Sequence, residues 1–159
     1  MAGRVIILMG SRSDLGFAQE IGNELHRFGI DPEYRVASAH KSPAYVLQLL
    51  AEYEATGEAF VYIVVAGRSN ALSGMADASV TAPIISCPPY SEKFAGADIF
   101  SSLRMPSGVA PLTVLEPGAA ALAAAKILAL SDRSLREAVA TYQKKQTDRI
   151  LTDDREING

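Results

Sequence analysis

The chain has no tryptophan, a single cysteine and only two histidines. With Cys87 alone, an intramolecular disulfide is excluded and a cysteine-based zinc site has too few thiols, which suits a reducing cytoplasmic setting. Long apolar runs are also missing: the longest stretch, from Ala119 to Leu130, is interrupted by Lys126 and falls short of the roughly 20 residues that span a bilayer. The N-terminus carries no signal-peptide pattern. Neither sign of charge dominates, since 15 Lys and Arg stand against 18 Asp and Glu for a net charge of -3 and a pI near 5.4. Without a broad cationic surface, nucleic acid and anionic membrane are excluded as expected partners, which leaves a small molecule.

What is present reads as one folded unit. Across 159 residues, 48% are apolar and 21% charged, enough for a single sheet-and-helix core. No internal repeat or linker divides it. The expected organisation is one domain over residues 1–159, with a core over about residues 4–130 and a helical extension over about residues 131–155.

Val5 to Met9 is a continuous apolar run closed by Gly10, as expected of a parallel strand buried on both faces. Leu15, Ala18, Ile21, Leu25 and Phe28 recur at helical spacing before Gly29. Tyr34 to Ala37 reads as a short second strand. Ser42-Pro43 then starts a helix, Ser as N-cap and Pro at the first position, that should reach about Ala55. Phe60 to Ala66, rich in β-branched and aromatic residues, is the expected central strand. A Gly-, Ser- and Ala-rich stretch from Gly67 to Ala78 follows as loop. Pro83 to Cys87 makes a fourth strand and Thr113 to Leu115 a weaker fifth. An Ala-rich helix from about Gly118 to Leu130 reads either as core or as a surface for close helix approach. The last helix, from Leu135 to about Leu151, carries Leu135, Val139, Tyr142 and Ile150 on a stripe expected to pack on a neighbouring subunit. The alternation predicts a three-layer α/β/α fold around a doubly wound parallel sheet of flavodoxin-like order.

In such a sheet, ligands bind beyond the carboxyl ends of the strands. Three polar loops fall there. The first, Gly10-Ser11-Arg12-Ser13-Asp14, offers backbone amides and hydroxyls for phosphate and a carboxylate for ribose hydroxyls, although Ser13 or Asp14 as a helix cap is the bland alternative. The second, Ser38-Ala39-His40-Lys41-Ser42, places a histidine beside a lysine at a helix start. An uncharged His40 can take up a proton and return it, while Ser38 and Lys41 can hold a phosphate. The third loop opens Gly67-Arg68-Ser69-Asn70 and lacks a G-x-G-x-x-G fingerprint, so a dinucleotide is not indicated. Its small residues permit close approach of backbone amides to a planar ligand or carboxylate, with Ser69 and Asn70 adding side-chain hydrogen bonds.

Taken together these loops resemble the aminoimidazole ribonucleotide carboxylase family of purine biosynthesis. Met9 to Asp14 matches its Met-Gly-Ser-x-Ser-Asp pattern, Ser38 to His40 its Ser-Ala-His pattern, and Met105 to Gly108 a Met-Pro-Ser-Gly segment. The similarity runs from about Val5 to Leu130. Two branches exist. The mutase branch carries Gly-Ala-Ala-His-Leu-Pro-Gly in the third loop, whereas Asn70 stands here in place of that histidine. Ala66 to Asn70, Lys41 and Ser86 to Pro89 match the branch that uses carbon dioxide, in a stand-alone form without the fused synthetase domain of the animal enzyme.

The resemblance implies that Ser11, Ser38 and Lys41 bind phosphate and that Asp14 holds the ribose. It further implies that Gly67, Arg68, Ser69 and Asn70 shape the ring and carbon dioxide pocket, with Gly10 and Ser13 completing the first loop. His40 would take the proton, and no metal, biotin, ATP or other cofactor is needed. A homotetramer or homo-octamer is the implied assembly.

Other residues weigh less. His26, near a helix C-terminus, reads as structural. Cys87 lacks a second histidine to activate it and reads as a packed thiol. Lys144-Lys145 reads as a solvated face. Two other classes compete: a flavodoxin-like flavin carrier explains Ser11 and Ser13 but not Ser38 to Pro43, and a signalling receiver domain would need an aspartate where Met9-Gly10 stands.

Overall fold

The computed structural model describes residues 3–158. Five parallel strands, β1 (Arg4–Met9), β2 (Glu33–Val36), β3 (Phe60–Val65), β4 (Ile84–Ser86) and β5 (Leu112–Thr113), form one sheet in the order β2-β1-β3-β4-β5. This is the expected flavodoxin-like order. The helices are α1 (Leu15–His26), α2 (Pro43–Glu54), α3 (Ala71–Asp77), α4 (Phe100–Leu103), α5 (Pro117–Leu128) and α6 (Arg133–Asn158).

The unbroken apolar runs have a direct cause. Strand residues alternate between faces, and both faces of β1 and β3 are covered. Val5, Ile7, Met9, Val61, Ile63 and Val65 pack in one buried cluster with α1, α5 and the start of α6. Ile6, Leu8, Phe60, Tyr62 and Val64 pack in a second with α2 and α3. β3 is therefore apolar at every position and β1 from Val5 onward, and the strand that reads most β-prone sits at the centre.

The Ala-rich helix is core. Ala120, Ala121, Ala124 and Ala125 of α5 are fully buried, and their small side chains let α5 pack closely on α1 within the same chain. The stripe of α6 divides. Leu135 and Val139 are buried in the same cluster, and the Tyr142 ring lies 5.2 Å from that of Phe28. Leu135 and Val139 therefore serve this chain's own core, contrary to the expectation for the whole stripe, and Tyr142 packs partly against it. Beyond Tyr142 every described residue is exposed, Ile150 among them.

Two further differences bear on the site. The stretch from Gly67 to Ala78, expected as loop, contains α3. Ser42 occupies the N-cap of α2, with Pro43 first in the helix, but its hydroxyl makes no cap hydrogen bond. Instead it accepts from the Ser38 N–H at 3.0 Å and donates to the Ser38 carbonyl at 3.2 Å.

Candidate active site

A cleft of about 620 Å³ lies beyond the carboxyl ends of β1, β2, β3 and β4. It straddles the point where the strand order reverses between β1 and β3, the position at which loops diverge and leave room for a ligand.

Its first wall is the loop after β1. The Gly10 N–H continues the ladder to the Val65 carbonyl at 3.0 Å, after which the chain turns through a 3-10 turn at Arg12–Asp14. Ser11 caps that turn, its Oγ accepting from the Ser13 N–H at 3.2 Å and from the Ser13 hydroxyl at 2.9 Å. Asp14 occupies the N-cap of α1 but makes no side-chain cap bond. Its half-buried carboxylate lines the cleft, and burial pushes its pKa up, partly opposed by a hydrogen bond from the Ser11 backbone.

The second wall is the turn from Ser38 to Ser42. The Ala37 N–H bonds the Met9 carbonyl at 2.9 Å and the Ser42 N–H bonds the Ser38 carbonyl at 2.8 Å. The Lys41 N–H donates to Ser38 Oγ at 3.3 Å, which leaves the Ser38 hydroxyl proton available to an anion. His40 and Lys41 are exposed and line the cleft. No other described side chain hydrogen-bonds the His40 ring, so it is free to meet a ligand. Below this turn Arg35 clamps β2 to α2, donating to the Tyr53 hydroxyl at 3.0 Å and the Tyr45 hydroxyl at 3.1 Å.

The third wall is the loop from Ala66 to Ser69, with Leu72 behind it. Asn70 departs from its expected place. It is 2% exposed and does not line the cleft. Its Oδ1 accepts from the Ser73 N–H at 3.1 Å and the Ser73 hydroxyl at 3.0 Å, so it caps α3. Its Nδ2 donates to Ser86 Oγ at 2.6 Å and Ser102 Oγ at 2.9 Å. With both ends of the amide spent on the fold, Asn70 builds the loop without presenting its side chain to a ligand.

A fourth wall was not anticipated as a group: Pro89, Tyr90, Ser91 and Asp98, from the segment after β4. Of these, only Pro89 belongs to a motif read from the sequence, the Ser86 to Pro89 match. Tyr90 packs on Gly96, which has φ 75°, and a Cβ there would stand 2.8 Å from the ring. Glycine is thus required at that turn both by its backbone and by the close approach of the ring.

Residues set aside in the sequence stay outside the cleft. His26 Nε2 lies 3.1 Å from Asp31 Oδ1 on the surface. Cys87 is fully buried, and burial pushes its thiol up to about 12, which makes it a poor nucleophile. Lys144 pairs with Asp148 one turn along α6 at 2.6 Å.

The fold and cleft together define an open α/β domain whose switch point gathers two hydroxyl-bearing turns, a half-buried carboxylate and an imidazole that no other described side chain engages. The sequence profile of the AIR carboxylase family matches residues 4–149. The chain is 53% identical over 154 residues to the phosphoribosylaminoimidazole carboxylase of Archaeoglobus fulgidus, covering 97% of this chain and 84% of that one. It is 51% identical over 153 residues to the phosphoribosylaminoimidazole carboxylase of Treponema denticola, covering 96% of each. The crystal structure of Treponema denticola PurE superposes with a TM-score of 0.95 at 50% identity over 99% of both chains. The chain belongs to the AIR carboxylase family.

Proposed function

We propose that this protein carboxylates aminoimidazole ribonucleotide with carbon dioxide, giving carboxyaminoimidazole ribonucleotide for purine (IMP) biosynthesis. The observation that carries the reading is the convergence on one cleft of the Ser11–Asp14 turn, the Ser38–Lys41 turn with its unpartnered imidazole, and the Gly67–Ser69 loop. Ser11, Ser13, Ser38 and Lys41 would hold the phosphate, and Asp14 would accept from the ribose hydroxyls. Gly10 ties the start of the first loop to β3 through the Val65 carbonyl, and Gly67, Arg68 and Ser69 would face the ring and carbon dioxide.

The ring carbon beside the amine is electron-rich and attacks carbon dioxide. The new carbon–carbon bond leaves that carbon bearing both hydrogen and carboxylate. Aromaticity returns when His40 accepts the hydrogen as a proton and later passes it to solvent, a general-base step that needs the imidazole within hydrogen-bond reach. No cofactor enters this sequence of steps. Positioning both reactants in a shaped pocket supplies much of the remaining acceleration.

The mutase alternative belongs to a branch that carries a histidine in the third loop. Asn70 occupies that place with its amide committed to Ser73, Ser86 and Ser102, which favours the carboxylase. The test is a spectrophotometric assay offering aminoimidazole ribonucleotide with bicarbonate-derived carbon dioxide, or the ring-amine carbamate. Product from the first and none from the second is expected, and turnover of the carbamate alone would assign the mutase instead.

The whole chain is read as one carboxylase domain, in the cytoplasm. We read its assembly as a homotetramer or homo-octamer. Support comes from α6 past Tyr142, where Ile150, Leu151 and Ile157 are exposed, and from exposed Phe100, Leu103, Leu112 and Leu115 near the β5 edge. Sedimentation as a monomer at micromolar concentration would contradict the assembly. Among the described residues, no helix is long and apolar enough to cross a membrane.

A further inference from the structure

Arg68 has φ 60°, one of two non-glycine residues with positive φ among those described. An arginine does not choose that conformation, because its Cβ crowds the following carbonyl. Something must hold it there. The Arg68 N–H donates to Asp98 Oδ2 at 2.9 Å. Asp98 sits thirty residues on, in the short turn Ala97–Ile99 that follows left-handed Ala95 and Gly96. Within 4.0 Å it meets no cationic group among the described residues, so that backbone amide is the partner its carboxylate serves. Ser101 extends the clamp, accepting from the Asn70 N–H at 2.9 Å and donating to the Asp98 carbonyl at 2.8 Å.

The clamp acts on the wall that faces the reacting centre. Asp98 itself lines the cleft, and its Oδ2 lies 3.7 Å from the place a Cβ on Gly67 would occupy. The Arg68 amide is thereby committed to Asp98, while the Gly67 and Ser69 amides on either side are engaged by no other described residue. A loop held in this way presents two donors in fixed directions. Released, Arg68 would relax to negative φ and both donors would swing.

We propose that Asp98 is a positioning residue for carboxylation, acting as a hydrogen-bond acceptor that locks the Gly67–Ser69 wall through the Arg68 amide. The proposal rests on the carboxylase reading above. Because phosphate and ribose are assigned to the first two loops, loss of the clamp should disturb the reacting end of the substrate and spare nucleotide affinity.

The experiment compares wild type, Asp98→Ala and Asp98→Asn in steady-state carboxylation, with nucleotide affinity measured by calorimetry. For Asp98→Ala, nucleotide affinity should stay within about threefold, while kcat falls about tenfold or more, in line with the cost of small misplacements. Asp98→Asn keeps an acceptor without the charge, and should return kcat to within about threefold of wild type. Wild-type kcat in both variants would overturn the role. Equal losses in both would overturn it too, since the charge and not the acceptor would then matter. A raised nucleotide Kd with unchanged kcat would also do so. An inactive wild-type chain would instead strike down the carboxylase reading, and with it the role given to Asp98.

Discussion

Replacing Asn70 by alanine decides between two readings of that residue, ligand group or keystone of the third loop. Its side chain caps α3 and is the hydrogen-bond partner of the Ser73, Ser86 and Ser102 hydroxyls, all three buried. Loss of an N-cap costs about 1 kcal/mol, and each buried hydroxyl stripped of its partner costs about 1–3 kcal/mol. Local collapse and water entry recover part of that sum, so a net loss of about 3–5 kcal/mol is expected against the roughly 5–15 kcal/mol of a folded domain. At about 2–4 °C per kcal/mol for a chain of this size, Tm should fall by about 10 °C. Thermal and urea unfolding followed by circular dichroism, at one fixed protomer concentration, measures it. A fall under about 2 °C, together with a raised nucleotide Kd, would refute the reasoning and return Asn70 to the ligand.

Three further outcomes follow from the same geometry. The Tyr62 hydroxyl is buried with no hydrogen-bond partner and its pKa is driven up by burial, so Tyr62→Phe should leave stability unchanged or raise it by about 1 kcal/mol; a clear loss in urea unfolding would show the hydroxyl to be satisfied. An ionised Asp14 accepts from ribose hydroxyls more strongly than the protonated acid, and burial raises its pKa. Affinity should therefore be held above that raised pKa and lost as pH falls through it, giving kcat/KM an acid limb above the ordinary aspartate range. Asp14→Asn should abolish that limb, and an unchanged profile would contradict the assignment. Lys41→Ala should weaken nucleotide binding by about tenfold, about 1.4 kcal/mol, and an unaltered Kd would remove Lys41 from the phosphate site.

The parts of the fold legible in the sequence are those with local causes. β1 and β3 are buried on both faces, so their apolar runs are continuous, and the sheet order follows from the crossover rule. Ser11, Asp14, Ser38, His40 and Lys41 lie on short turns that follow strands directly, and strand ends fix where such turns go. What was not legible depends on distant partners. α3 hides in a Gly-, Ser- and Ala-rich stretch because its start is set by Asn70, whose other partners, Ser86 and Ser102, lie 16 and 32 residues away. A polar residue in a loop looks the same whether it meets ligand or protein. Asp98 carried no signal, since its acceptor role exists only once the segment after β4 folds across the third loop. The last helix runs on to Asn158, past the expected end near Leu151, supported by one-turn pairs such as Lys144–Asp148 at 2.6 Å.

The central claim is that His40 takes the ring proton, and His40→Asn measured for both nucleotide affinity and turnover tests it most directly. Asparagine keeps a polar side chain on the turn, so affinity should stay within about tenfold, about 1.4 kcal/mol, while carboxylation falls at least about a hundredfold, the low end of a general-base contribution. Turnover close to wild type with an intact cleft would contradict the account.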